Sequence, residues 1–127
     1  MTNNISAIID VDHIGYAVND MGVAKNKFIA LGYEFTDEKL DELRCVSVSI
    51  GQLGNTRVEL VTPQKGKKSP IDGILKKMGN MPYHICYSVS NLAKAITELM
   101  ENGYTQLGKA DWSVPLGGTF VSCTLRK

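Results

Sequence analysis

The sequence predicts an α+β protein in which two βαβββ modules form a curved sheet or open barrel. The first observation is an internal repeat: residues 11–18 (VDHIGYAV) and residues 82–89 (PYHICYSV) share the pattern His-Ile-x-Tyr-x-Val at an offset of 71 residues. The dipeptide Gly32-Tyr33 reappears at the same offset. The second observation is that each half passes from a strand pattern to helical spacing and back to alternating segments. Because one half covers only part of a curved sheet, the apolar faces of the two halves are expected to pack together or against another chain.

The first module is predicted over about residues 9–62. Residues 11–18 are apolar at almost every position, which is typical of a strand that is covered on both faces. Asp20 is placed to cap the helix that follows, and Gly32 is placed to end it. The alternating segments that complete the module lie at residues 33–35, 43–50 and 56–61.

Residues 63–80 are predicted to form a connector and a helix, with Ser69 as the N-cap and Gly79 at the helix end. The second module is predicted over about residues 82–127, and its last strand pattern covers residues 119–125. Adding the 71-residue offset to the last strand of the first module gives positions outside the 127-residue sequence. The final strand of the second module is therefore expected to be missing.

Composition and charge indicate a soluble globular protein, and residues 1–127 are predicted to form a single domain. Hydrophobic residues make up 43% and charged residues 21%, which is ordinary for this class. A net charge of +1 gives no reason to expect binding to nucleic acid or to a membrane surface. The sequence has no apolar run of about 20 residues, no N-terminal secretion pattern and no Cys-x-x-Cys pair among its three cysteines. We therefore predict a cytoplasmic protein whose cysteines are small buried hydrophobes.

The two histidines of the chain, His13 and His84, occupy equivalent positions of the repeat. A single strand histidine is more often a satisfied core or edge residue, but a shared site explains both histidines at once. If the first strands of both halves lie near a pseudo-two-fold axis, the two imidazoles face the same concave surface. Imidazole is a common ligand of divalent first-row ions, and Glu59 is the natural carboxylate to complete the set. The alternative is that Glu59 faces solvent and pairs with Arg57, an interaction worth little in stability.

Four segments together carry a family resemblance: VDHIGYAV (residues 11–18), NTRVELVTP (residues 55–63), SPI (residues 69–71) and YHICYSV (residues 83–89). They resemble the vicinal oxygen chelate superfamily, which includes glyoxalase I, extradiol dioxygenases and bleomycin-resistance proteins, and they are most similar to its methylmalonyl-CoA epimerase-like members. The resemblance covers about residues 9–125. It implies paired βαβββ modules around a divalent cation (Co, Ni, Zn, Mn or Mg), with metal ligands at His13, Glu59 and His84.

The resemblance also implies an activity: metal-dependent isomerisation or epimerisation of a small acyl-thioester-type substrate through an enediolate, in a homodimer. A fourth ligand is expected in the family on the last strand of the second module, but the position equivalent to Glu59 is 130, beyond Lys127. Family epimerases carry a carboxylate base on the strand that matches residues 44–50, where this chain has none. Glu42, just before that strand, is the weak candidate for the catalytic base.

Two other functions stay open at this point. A non-catalytic small-molecule binder of the same fold, such as a drug-sequestering protein, needs no complete ligand set, and a lactoylglutathione-lyase-like enzyme would use the same metal. Lys65, Lys67 and Lys68 precede Ser69 and form either a solvated connector or a contact for the phosphates of a coenzyme A-like ligand.

Overall fold

The computed structural model describes residues 5–106, 110–113, 119–122 and 125–126, the last three ranges by their backbone alone. The described elements, in chain order, are β1 (Ile8–Ala17), α1 (Met21–Ala30), β2 (Glu34–Phe35), β3 (Lys39–Asp41), β4 (Val46–Leu53), β5 (Thr56–Pro63), α2 (Asp72–Met78), β6 (Met81–Val89), α3 (Leu92–Glu101), β7 (Thr105–Gln106), β8 (Ala110–Ser113), β9 (Thr119–Ser122) and β10 (Leu125–Arg126). The predicted α+β class is confirmed. None of the helices in these ranges is long and apolar enough to cross a membrane.

The chain divides into two compact units. One, the central unit, comprises residues Asp12–Cys86, and the other, the terminal unit, joins Met1–Val11 to Tyr87–Lys127. In the terminal unit, Ser6 donates from its backbone N–H and its hydroxyl to the carboxylate of Glu98 in α3, at 2.9 and 3.1 Å. Two further strand pairs, β7 with β10 and β8 with β9, are antiparallel.

The main sheet has the strand order β2-β4-β5-β1-β6, and β3 lies beside β4. β4 and β5 form an antiparallel hairpin, and its two-residue turn contains Gly54 at a φ of 57°. Such a turn requires a positive φ, which glycine adopts without steric cost. β1 and β5 run parallel, with Gly15 beside Glu59. This register brings the first strand of the chain next to the strand that carries the predicted carboxylate ligand.

The two faces of the sheet have different roles in the central unit. Leu60 is fully buried and packs with Met21 and Ala24 of α1. Since successive residues of a strand point to opposite faces, Glu59 lies on the face away from α1. Its antiparallel partner in β4 is Ile50, which is also buried. The sheet therefore uses one face for the helix-packed core and the other for the candidate site.

The predicted ends of α1 are confirmed. Asp20 has an extended backbone, and its side chain accepts the backbone N–H of Val23 at 3.0 Å. Gly32 follows the helix with a φ of 105°, the left-handed conformation expected after a helix end. In α3, Asn91 caps in the same way by accepting the backbone N–H of Lys94 at 3.1 Å.

The predicted N-cap at Ser69 is wrong, because the helix begins at Asp72. The Ser69 hydroxyl and backbone N–H donate to the two carboxylate oxygens of Asp72, at 2.7 and 2.8 Å. These hydrogen bonds lower the pKa of Asp72, since they favour its charged form. Ser69 therefore donates where an N-cap would accept. The helix end at Gly79 is confirmed, with a φ of 74°.

The strand predicted over residues 43–50 begins at Val46 and continues to Leu53 instead. The preceding residues form a turn after β3, a strand that the alternation did not predict. Asp41 closes this turn: its carboxylate accepts the backbone N–H of Arg44 at 3.2 Å and the Arg44 guanidinium at 2.7 Å. The turn depends on a side chain–backbone contact, which hydrophobic alternation does not report. Of the strand predicted over residues 119–125, the described part forms β9 and the first residue of β10.

Candidate metal centre

The three predicted metal ligands converge in the central unit, from three neighbouring strands. His13 lies on β1, Glu59 on β5 and His84 on β6. The Nε2 atoms of the two histidines are 3.4 Å apart, and they lie 3.6 Å (His13) and 3.5 Å (His84) from the Glu59 carboxylate oxygens. The imidazole rings meet edge to face, at an interplanar angle of 81°. Two nitrogens and a carboxylate thus face one small volume.

The spacing of these atoms fits a bound cation better than direct contact. Hydrogen bonds between nitrogen and oxygen are usually about 2.7–3.2 Å long, shorter than the distances of 3.4–3.6 Å found here. The ligand atoms of a tetrahedral zinc site with bonds of about 2.0–2.2 Å lie about 3.3–3.6 Å apart. The two histidines approach different oxygens of the Glu59 carboxylate, Oε2 from His13 and Oε1 from His84, and each separation lies within that range. The donor set therefore fits a divalent transition ion.

The site is buried, and a bound cation would therefore stabilise its carboxylate. His13 is 2% exposed and Glu59 is 8% exposed, whereas the side chain of His84 is 27% exposed. A buried carboxylate is costly unless it is paired with a charge or bound to a metal. The alternative of a solvent-facing Glu59 is therefore wrong. The exposed edge of His84 gives the site an approach from solvent.

His13 is held from its other side by an ion pair. Its Nδ1 lies 2.7 Å from Oδ2 of Asp12. Arg57 donates from Nη1 to the two carboxylate oxygens of Asp12, at 3.2 and 3.3 Å. Arg57, which the sequence offered as a partner for Glu59, thus binds Asp12. This chain of contacts leaves Nε2 of His13 directed at Glu59 and His84.

His84 is held by packing against a glycine. A Cβ atom added to Gly15 would lie 2.0 Å from Cε1 of the His84 ring and 2.5 Å from its Nε2. No side chain fits at this distance, so the ring occupies the space that glycine leaves free. The ring of Tyr83 lies 4.5 Å from the His84 ring, centroid to centroid.

The two imidazoles have opposite pKa shifts in the metal-free site. Burial lowers the pKa of His13, but its interactions with the Glu59 and Asp12 carboxylates outweigh burial, and the net shift is upward. For His84, burial and the charge of His13 outweigh the attraction of Glu59, and its pKa falls. Different surroundings therefore make two repeat-equivalent residues chemically unequal.

Tyr83 and Cys86 lie beside the site and were not predicted to belong to it. Burial and the charge of Glu59 raise the pKa of the Tyr83 phenol, so its hydroxyl stays protonated and able to donate a hydrogen bond. Burial raises the pKa of Cys86 to about 11, and its sulfur lies within 4.8 Å of ligand atoms of Asp12 and His13. The 71-residue offset contained a signal for both, since it pairs Asp12 with Tyr83 and Gly15 with Cys86.

The other predicted site residues lie apart from this constellation. Glu42 is exposed in the turn between β3 and β4. The exposed lysines Lys65, Lys67 and Lys68 lie in the connector between β5 and α2. In β4, Ser47 and Ser49 are paired with Thr62 and Leu60, which places them on the face away from Glu59. The row of β4 that shares the face of Glu59 consists of Val46, Val48, Ile50 and Gln52, of which the first three are aliphatic and buried.

The structure is thus an α+β protein in which His13, Glu59 and His84 form a group that could hold a metal ion. A model of the Glyoxalase/Bleomycin resistance protein/Dioxygenase superfamily matches residues 12–121. The chain belongs to this superfamily, and the resemblance seen in the four sequence segments is confirmed.

Individual relatives point to one branch of the superfamily. The chain is 37% identical over 94 residues to the mitochondrial methylmalonyl-CoA epimerase of Bos taurus, covering 72% of this chain and 53% of that protein. It is 34% identical over 104 residues to the ethylmalonyl-CoA/methylmalonyl-CoA epimerase of Cereibacter sphaeroides, covering 80% and 76%. The crystal structure of methylmalonyl-CoA epimerase from Mycobacterium tuberculosis superimposes with a TM-score of 0.78 at 20% identity, covering 96% of this chain and 91% of that one. The chain spans about half the length of the mammalian relatives that it matches.

Proposed function

We propose that this protein is a metal-dependent epimerase of a small acyl-coenzyme A thioester, with methylmalonyl-CoA as the first substrate to test. The observation that carries the proposal is the convergence of His13, Glu59 and His84, whose nitrogen and oxygen atoms lie 3.4–3.6 Å apart. The epimerase names of the relatives support the substrate class.

The three ligands would hold a divalent cation, and their chemistry favours some ions over others. Two imidazoles suit Zn²⁺, Co²⁺ or Ni²⁺ better than Mg²⁺, which takes oxygen ligands almost exclusively. When bound, such an ion acts as a Lewis acid that polarises a carbonyl oxygen and stabilises developing negative charge. Tyr83, a neutral phenol whose ring lies 4.5 Å from that of His84, would supply a hydrogen-bond donor for a substrate oxygen.

The experiment begins with metal analysis of purified protein, for wild type and for His84→Ala and Glu59→Gln. We expect one equivalent of metal in wild type and a loss in both variants. Proton–deuterium exchange at the α-carbon of methylmalonyl-CoA in heavy water then tests the reaction, with Lys25→Gln in α1 as a control. Stoichiometric metal without exchange of this thioester or of ethylmalonyl-CoA would contradict the epimerase proposal, and absence of metal would contradict the site itself.

A non-catalytic binder is the second candidate, and the row of β4 beside Glu59 favours it. Val46, Val48 and Ile50 are buried apolar side chains and bring no proton-transfer group to that face. A binder would retain a small apolar ligand without chemical change and would give no exchange in heavy water. The exchange assay therefore separates the two candidates.

The lysine contact with a coenzyme A phosphate is a further part of the proposal. Lys65, Lys67 and Lys68 are exposed and close together in sequence, as a contact for flexible phosphates requires. In the triple alanine variant we expect KM for the thioester to rise about tenfold while kcat stays near the wild-type value, because uniform binding is lost. An unchanged KM in steady-state kinetics would show that these lysines are a solvated connector. Homodimerisation, the cytoplasmic location and Glu42 as base stay predictions.

A further inference from the structure

The ion pair behind His13 has a geometry that bears on metal binding, although neither of its members is one of the three predicted ligands. Asp12 Oδ2 lies 2.7 Å from His13 Nδ1, a short distance for a hydrogen bond between nitrogen and oxygen. An ionised carboxylate only accepts hydrogen bonds, so Nδ1 of His13 must carry the proton. The neutral ring then has its lone pair on Nε2, the atom that faces Glu59 and His84.

Arg57 holds the Asp12 carboxylate, which in turn holds the His13 ring. Its Nη1 reaches Oδ1 and Oδ2 of Asp12, at 3.2 and 3.3 Å. Arg57 lies on β5 two residues before Glu59, and β5 pairs with β1 in parallel register from Ile14 onward. The ion pair therefore links the strand of the first histidine ligand to the strand of the carboxylate ligand.

An ion pair of this exposure contributes little to stability by itself. The side chains of Arg57 and Asp12 are 35% and 29% exposed, a range in which such pairs add little to the free energy of unfolding. Its contact with a histidine that is 2% exposed gives it a different role. Carboxylates that bind the second nitrogen of a metal-ligating histidine commonly change metal affinity by about 10–100-fold.

We propose that Asp12 and Arg57 are positioning residues, which hold His13 in the Nδ1–H tautomer and present its Nε2 to the metal. The inference rests on the proposed metal centre and deepens it: metal affinity depends on two residues that do not contact the metal. The two histidine ligands are then held by different means, His13 by this ion pair and His84 by packing on Gly15.

The test compares Zn²⁺ affinity, measured by competition with a chromophoric chelator, across matched variants. We expect Asp12→Ala to bind Zn²⁺ at least about tenfold more weakly, Arg57→Gln to weaken binding less, and Arg57→Lys to restore part of the loss. Lys25→Gln, which removes one positive charge from α1, should bind as wild type does. The visible spectrum of bound Co²⁺ should change in Asp12→Ala, a signature that a purely structural role would not alter.

A second measurement needs no variant. Long-range nitrogen–proton NMR of the metal-free wild type at alkaline pH should show His13 as the Nδ1–H tautomer. A Nε2–H tautomer, or variants that bind Zn²⁺ as tightly as wild type, overturns the inference while the metal centre stands. Wild type that binds neither Zn²⁺ nor Co²⁺ overturns both, and metal binding without epimerisation overturns the proposed reaction alone.

Discussion

At the scale of single residues, the neighbours of the two histidines decide what the histidines can do. The repeat predicted His13 and His84 as a pair and led to Glu59, and the structure brings the three together. The repeat could not predict that Asp12 and Gly15 position these histidines. Periodicity indicates which face of a strand a side chain lies on, but it does not indicate which atoms that side chain contacts. In the sequence, Gly15 is only a small residue in an apolar strand pattern. In the structure, the absence of a Cβ at Gly15 leaves room for the His84 ring.

Gly15→Ala tests this close packing. A Cβ 2.0–2.5 Å from three ring atoms of His84 forces the imidazole to move, and we expect Zn²⁺ affinity to fall at least about tenfold. Gly73→Ala in α2 is the matched control, since nothing lies within 4 Å of the added Cβ. Equal affinity of both variants in chelator competition would show that the ring does not depend on Gly15.

The unequal surroundings of the histidines predict two separate titrations in the metal-free protein. The pKa of His13 is raised by Glu59 and Asp12 against the effect of burial, so His13 takes up its proton above pH 6.5. The pKa of His84 is lowered chiefly by burial, so His84 takes up its proton only below pH 6.5. NMR of the two Cε1–H signals over pH 5–9 measures this, with the steps belonging to the coupled pair. A single transition near pH 6.5 for both rings would contradict the expectation.

At the scale of elements, local capping chemistry predicted some boundaries and failed at others for a physical reason. Asp20 and Gly32 were predicted at the ends of α1 because each acts on the adjacent backbone. Ser69 was wrongly predicted as the N-cap, because its hydroxyl and backbone N–H donate to the Asp72 carboxylate. The start of β4 was misplaced because Asp41 closes a turn that no apolar pattern marks. Hydrophobic periodicity does not report these two boundaries, because hydrogen bonds to the carboxylates of Asp72 and Asp41 set them.

Asp20→Ala is expected to lower the free energy of unfolding by about 1 kcal/mol, because it removes the acceptor for the backbone N–H of Val23. Helix α1 packs on the face opposite Glu59, so Zn²⁺ affinity should stay at the wild-type value. Urea denaturation followed by circular dichroism measures the change. Asp37→Ala, at an exposed position, should shift stability by no more than about 0.5 kcal/mol. Equal free energies of unfolding for the two variants would mean that the Asp20 cap does not contribute to stability.

At the scale of the whole molecule, all three proposed ligands belong to one compact unit. His13, Glu59 and His84 lie within residues 12–86, on strands β1, β5 and β6. The sequence predicted two modules that each contribute one histidine, but the contacts divide the chain inside β1 and β6. A bound cation would therefore cross-link three strands of the central unit.

This division makes metal binding visible as a local change in stability. With free Zn²⁺ at about 100 times Kd, binding to the folded state alone adds about 2.7 kcal/mol to the free energy of unfolding. Hydrogen–deuterium exchange should then slow most in peptides from β1, β5 and β6 within residues 12–86. Peptides from α3 in the terminal unit serve as the internal reference and should change less. Addition of EDTA should reverse the protection, and His84→Ala should show none. Equal slowing in both units would mean that both exchange through global unfolding, which would contradict a local effect.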